Sequence, residues 1–109
     1  MTVKDLALDN NFKEICIPCP EREINGVYVG DLLSWVMGRA QADDAWITIM
    51  SNLNVIAVAS LADTSCVILT EGVTLQDDVK ALAISKEINV LSTSLTSYQA
   101  SVHLSGILK

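Results

Sequence analysis

Glu21-Arg22-Glu23-Ile24-Asn25-Gly26-Val27-Tyr28-Val29-Gly30-Asp31 is the stretch from which the rest of the chain can be read. Two glycines, Gly26 and Gly30, bracket the short apolar segment Val27-Tyr28-Val29, and Gly30-Asp31 leads directly into an amphipathic run over residues 32–39. Glycine reaches backbone angles closed to other residues and lets another backbone, or a ligand, come close. Asp31 is placed to accept hydrogen bonds from the free N–H groups of the helix it would open. The pattern predicts a strand, a turn and a helix in succession.

Upstream, Thr2 is a helix cap with Asp5 three residues on, as in a capping box, and Val3, Leu6 and Leu8 supply a modest apolar face. Asp9-Asn10-Asn11 ends that helix. Residues 12–17 read as a strand stopped by Pro18 and Pro20, because proline cannot donate to a ladder. Residues 22–29 read as an irregular strand around Gly26, and residues 32–39 as a second helix ending near Gly38.

Downstream a rhythm sets in. Residues 46–50 and 66–70 are buried strands, and residues 52–61 form a helix that is apolar nearly all round. Leu75, Val79, Leu82, Ala83 and Ile84 fall at helical spacing, with Thr74 and Asp77 as a second capping box. Val90-Leu91 is a short strand, and residues 95–104 a last helix carrying Leu95, Tyr98 and Val102. Alternating strands and helices with two-sided apolar strands predict a single-domain, three-layer α/β/α fold over residues 1–109 with a largely parallel sheet. The uniformly apolar helix over residues 52–61 is expected to be sandwiched or to lie in a subunit interface.

Composition narrows the function classes. A chain of 109 residues that is 50% hydrophobic can build one real core and is not disordered. A formal net charge of −6 argues against nucleic-acid binding, since an acidic surface repels phosphate backbones. The apolar runs are far shorter than the ~20 residues that span a bilayer, so no membrane association is expected. Nothing in the opening residues reads as an export signal, which with three cysteines points to reduced thiols in a cytoplasmic setting.

In open α/β sheets, ligands sit beyond the carboxyl ends of the strands. The residues expected there are Gly30 and Asp31; Ser51, Asn52 and Asn54; Thr70, Glu71 and Gly72; and Ser92 and Thr93, with Ser94, Thr96 and Ser97 close behind. Small hydroxyls and amides at helix N-termini suit a small anionic metabolite or nucleotide. The same residues are also preferred N-caps with no ligand at all. Neither a P-loop lysine nor a Gly-x-Gly-x-x-Gly occurs.

Reactive constellations are scarce. Cys16-Ile17-Pro18-Cys19 is a C-x-x-C, but Cys19 precedes Pro20 and a charged, extended stretch rather than a helix. A zinc site would need Cys66 and His103 as well, and Cys66 opens a buried strand. His103, the only histidine, has Gln99 rather than a nucleophile one turn earlier, and is expected at the surface or an interface. Asp43-Asp44 and Asp77-Asp78 read as solvated loop or first-turn acids, and Trp35 and Trp46 as core or interface anchors. No catalytic residue, metal or cofactor is assigned.

The stretch over residues 21–31 resembles the signature of the DRTGG domain. Arg22, Gly26, Tyr28, Gly30 and Asp31 stand where that family has its Arg, first Gly, aromatic, third Gly and Asp. Glu21, Asn25 and Val27 depart from its Asp, Thr and second Gly. The likeness continues through residues 32–37, 45–49, 54–59 and 91–93. It implies a compact unit like the N-terminal domain of HPr kinase, acting as a non-catalytic regulatory module. Such domains are attached to phosphate acetyltransferases and regulated pyrophosphatases, where they help form dimers. Free-standing versions are similar to proteins encoded beside iron-only hydrogenase components in anaerobic bacteria, which implies a protein partner in anaerobic energy metabolism.

Three functions follow as expectations. The first is a homodimeric regulatory or interaction domain taking a small anionic ligand. The second is a thiol or metal accessory of an electron-transfer system of the hydrogenase type, using Cys16 and Cys19. The third is a phosphoryl-processing enzyme using Asp31 with Ser92-Thr93-Ser94, which would need Mg²⁺.

Overall fold

The apolar runs that end at Thr48, Leu69 and Ser92 form the centre of a five-stranded sheet in the computed structural model, which describes residues 1–108. In chain order the elements are α1 (Val3–Ala7), β1 (Lys13–Cys16), β2 (Gly26–Val29), α2 (Leu33–Arg39), β3 (Asp44–Thr48), α3 (Leu53–Ala62), β4 (Cys66–Leu69), α4 (Asp77–Ser85), β5 (Val90–Ser92) and α5 (Ser97–Ile107). The strands lie in the order β1-β5-β4-β3-β2. β2 to β5 are parallel, and β1 pairs antiparallel with β5. The reversed edge has a simple cause. β1 and β2 occupy opposite edges, and by running downward β1 delivers the chain to the end of the sheet where β2 begins. No crossover helix is then needed. Residues 17–25 make that traverse, tied to α1 by Val3 N–H to the Arg22 carbonyl and Lys4 N–H to the Pro20 carbonyl, both at 2.9 Å.

Both faces of the sheet are covered, which is why its strands read as unbroken apolar runs. Trp46, Val67, Leu69 and Val90 pack with Val36 of α2, Val55, Ile56 and Ala59 of α3, and Val79 and Ala83 of α4. Ala45, Ile47, Cys66, Ile68 and Leu91 pack on the opposite side with Val3 and Leu6 of α1 and Ala100 and Leu104 of α5. The three crossover helices share one face because the parallel strands advance across the sheet in a single direction. The strand order therefore contains no reversal among parallel strands, and the crevice that such a reversal opens is absent. α3 is sandwiched between α2 and α4, as its composition predicts.

Local signals hold in some places and fail in others. The first capping box forms, with Asp5 N–H donating to Thr2 Oγ1 at 3.1 Å and Thr2 N–H to Asp5 Oδ2 at 3.0 Å. Leu8 is exposed rather than part of the apolar face. The second expected box does not form. α4 starts at Asp77 with Gln76 at the cap position and no side-chain cap. Val73 and Leu75 pack against the core and hold residues 73–75 out of the helix. A box closes on α5 instead, between Thr96 and Gln99. On α5 the small Ala100 and Leu104 meet the sheet, whereas Tyr98 and Val102 face solvent.

Candidate functional site

The signature residues of β2 are used at both of its ends, and in each case to join strands. At the amino end, Arg22 Nη2 donates to Asp43 Oδ1 at 2.9 Å, to Asp63 Oδ1 at 2.8 Å and to the Asp63 carbonyl at 2.7 Å. Burial works against the charge on this guanidinium, but its bonds to Asp63 and Asp43 prevail and hold its pKa above the ordinary value. Asp43 and Asp63 both sit in the left-handed region, at φ 69° and 59°. Asp63 ends α3 and Asp43 precedes β3, so one side chain fixes two chain reversals. Asn25 N–H adds a bond to the Asp43 carbonyl at 3.0 Å. A Cβ on Gly26 would stand 2.6 Å from Asp44 Oδ1, which explains the glycine. Asp44 is buried and its Oδ2 accepts from Gln41 N–H at 2.8 Å. Asp43 and Asp44 are therefore structural partners, not solvated loop acids.

At the carboxyl end, the Gly30 carbonyl accepts from Trp46 Nε1 at 2.8 Å. Asp31 does not cap α2, whose N-cap is Leu32 with no side-chain bond. Asp31 Oδ1 instead accepts from Thr48 Oγ1 at 2.7 Å and from Ile49 N–H at 2.9 Å, clasping the end of β2 to the end of β3. Tyr28 packs against the core under α2–α4, and Val27 points to the other, exposed side of this edge strand. The family's second glycine position thus has room for a side chain here.

The strand-end residues do not converge on one place. Asp31 and Ser92 stand at the ends of β2 and β5, three strand spacings apart, or about 14 Å. Ser51, Asn52 and Asn54 line a cleft of about 480 Å³ where the N-termini of α3 and α4 meet, together with Gln76, Asp78 and Val79. The Asn52 side chain is occupied there as a cap, accepting from Asn54 N–H at 3.0 Å. Gly72, Ser92 and Thr93 line a second cleft of about 320 Å³ with Thr74 and Ser94. Its opposite wall is Asn10, Asn11, Phe12 and Lys13, none of which the sequence pattern brings to the strand ends. Knowing that β1 runs antiparallel would have placed them. Thr70 and Glu71 lie between the clefts and are bound inward. Thr70 Oγ1 is 3.0 Å from Ser97 Oγ, and Glu71 N–H donates to the Leu95 carbonyl at 2.9 Å.

The reactive candidates are dispersed. Cys16 is buried with its thiol pushed up by that burial, and Cys66 is fully enclosed with its thiol pushed up to about 12. Cys19 N–H donates to Asn89 Oδ1 at 2.8 Å, and Asn89 Nδ2 returns a bond to the Cys19 carbonyl at 2.8 Å. No cluster of three or more His, Cys, Asp or Glu suited to a metal occurs among the described residues. His103 is half-buried, with Nε2 2.7 Å from Asp9 Oδ2 and its ring against Phe12. The Asn11 backbone N–H and then His103 hold the Asp9 carboxyl below the ordinary range. Trp46 is a core anchor, whereas Trp35 is half-exposed on α2 with the Arg39 guanidinium 3.8 Å over its ring.

With this geometry in hand, known proteins can be compared. No curated protein matches the chain. A crystal structure of the CBS and DRTGG domains of the regulatory region of Clostridium perfringens pyrophosphatase, complexed with the activator diadenosine tetraphosphate, shares the fold with a TM-score of 0.66 at 21% identity. The match covers 84% of this chain and 40% of that one, so the chain corresponds to less than half of its structural neighbour. The sequence profile of the DRTGG domain, a family placed in a regulatory region in that neighbour, matches residues 21–107, from the Arg22 clamp through α5. The chain belongs to the DRTGG domain family.

Proposed function

We propose that the chain is a non-catalytic regulatory or interaction domain of the bacterial cytoplasm that pairs as a homodimer and takes a small anionic metabolite or nucleotide at the carboxyl ends of its parallel strands. One observation carries this reading. The rim keeps two open polar clefts, while the groups that could do chemistry are committed elsewhere: Asp31 to β3, His103 to Asp9, and Cys16 and Cys66 to the core. Asp31 also stands too far from Ser92 and Thr93 for one small substrate to touch both, which weighs against a phosphoryl-processing enzyme. Burial of Cys16 weighs against the thiol or metal accessory. The nucleotide activator bound by the similar pyrophosphatase region supports the ligand class. For the homodimer, the support is one edge of the molecule, where β2 and α2 expose Val27, Val29, Leu32, Trp35 and Met37. Such apolar exposure marks interaction surfaces, and a two-fold pair would use one patch twice.

Sedimentation together with thermal unfolding across nucleotides and acyl phosphates tests both halves. A dimer at micromolar concentration is expected, and a ligand at about a hundred times its Kd should add ~2.7 kcal/mol of stability. A monomer that no compound stabilises would refute the reading.

A further inference from the structure

Of the buried hydroxyl residues at the strand ends, Thr48, Thr70 and Thr93 have side-chain partners, and Ser92 has none among the described residues. The residue is 5% exposed, yet its hydroxyl has no hydrogen-bond partner among the described residues, and it faces the smaller cleft. The hydroxyl keeps contact with solvent and is free to donate to a group that enters the cleft, since the one fully enclosed side-chain oxygen without a partner among the described residues is Thr64 Oγ1. Lys13 is directly opposite Ser92 in the antiparallel β1–β5 pair. Their side chains leave the sheet on the same face, with Cβ atoms about 5 Å apart. Lys13 is in no ion pair among the described residues. Thr93, 3% exposed, accepts from Leu95 N–H at 3.1 Å through its oxygen, so its O–H remains to be donated.

The cleft is thus lined by one lysine and four hydroxyl residues, Thr74, Ser92, Thr93 and Ser94, and no carboxylate lines it. Of the acids next to its wall in sequence, Glu14 follows Lys13 in β1 and leaves the sheet by the opposite face. Asp9 is engaged by Asn11 and His103, which also fixes the Asn10-Asn11 wall in place. The larger cleft differs in kind, since Asp78 lines it and no cation does. In a chain of net charge −6, a lysine with no ion pair among the described residues, set beside an unpartnered hydroxyl in a cleft free of carboxylates, stands out.

We propose that the Lys13–Ser92 cleft is the anion site of this domain and that it takes a phosphoryl group, either inorganic phosphate or the phosphate of a small phosphomonoester. The inference deepens the ligand-binding reading above and rests on it. A tetrahedral phosphoryl group presents acceptor oxygens in more directions than the two of a flat carboxylate, which suits a lysine and several hydroxyls set around one cleft. The volume of about 320 Å³ is at the small end for ligand pockets, which fits a phosphate with a modest substituent.

The test is titration of inorganic phosphate into the isotope-labelled full chain, read by amide chemical shifts, with acetate at equal ionic strength and a small phosphomonoester as further arms. Saturable shifts are expected at Thr74, Ser92 and Ser94. Lys13→Met should weaken phosphate about tenfold, the scale of one charged hydrogen bond, while Lys86→Met outside the cleft changes nothing. Ser92→Ala should also weaken binding yet leave the melting temperature unchanged, because the hydroxyl bonds nothing among the described residues. A lower melting temperature would mark Ser92 as structural and overturn its role. The phosphomonoester binding more tightly than free phosphate identifies the source of the group, and the reverse points to phosphate itself. Acetate binding as tightly as phosphate would overturn the ligand class. Shifts confined to Ser51, Asn54 and Val79, or nucleotide binding unaffected by Lys13→Met, would overturn this site and leave the broader reading standing. Absence of saturable shifts would also overturn the site.

Discussion

At the amino ends of the parallel strands, polar groups are joined across elements: Arg22 bridges Asp43 and Asp63, Gly26 lets Asp44 fit beneath β2, and Asn89 ties Cys19 to Ser65, with Thr64 Oγ1 the buried exception among the described residues. At the carboxyl ends, two clefts stay open, and the side chains of Ser51, Asn54, Ser92 and Ser94 that line them have no hydrogen-bond partner among the described residues. The contrast separates what holds the domain together from what is left free to bind. It also divides the family signature, most of which lies on the amino end. Gly30 and Asp31 lie on the open end but serve as a clasp.

The contrast can be broken most severely at Arg22. Arg22→Ala leaves Asp43 and Asp63 as neighbouring carboxylates without their cation. A loss of ~2–3 kcal/mol is expected, reduced from the fully buried case because the side chain is 27% exposed. Chemical denaturation checks this, and phosphate shifts at the other end should survive in the folded fraction. Gly26→Ala comes next, at about 2 kcal/mol, since its Cβ would press on a short, pinned Asp44 side chain. An unchanged denaturation midpoint would show that Asp44 yields freely.

Asp31→Ala sharpens the comparison from the other side. Losing two hydrogen bonds should cost about 1–2 kcal/mol, with ligand affinity unchanged if the clasp is only structural. The smallest effect is pH-dependent. Asp9 titrates lower in the folded chain than its unfolded value of 3.8. Its contribution is whole above that value and is lost as pH falls through the lower, folded value. The stability gap between wild type and Asp9→Asn should therefore close in acid, and a gap constant with pH would contradict the bond.

Legibility followed the range of the interaction. The buried centre of the sheet was plain because β3 and β4 are apolar on both faces, and the Thr2–Asp5 box because its partners are three residues apart. The partnership of Arg22 with Asp63 spans 41 residues, and spacing carries no trace of it. Asp31 has the local signature of a cap, whereas its actual partners belong to the next strand. The start of α4 was missed because packing of Val73 and Leu75 outweighed a local cap signal. The division of the rim into two clefts depends on strand order, which alternation of elements does not give.

A strand that runs against its neighbours presents its first residue where they present their last. By that reversal, β1 carries Lys13 from outside the 21–107 framework to the shoulder of β5. Lys13 is exposed, unlike Phe12 and Cys16 beside it, so its identity can change without disturbing the core. A sibling chain that exchanged this lysine for an acid would invert the local charge of the cleft without altering a signature residue.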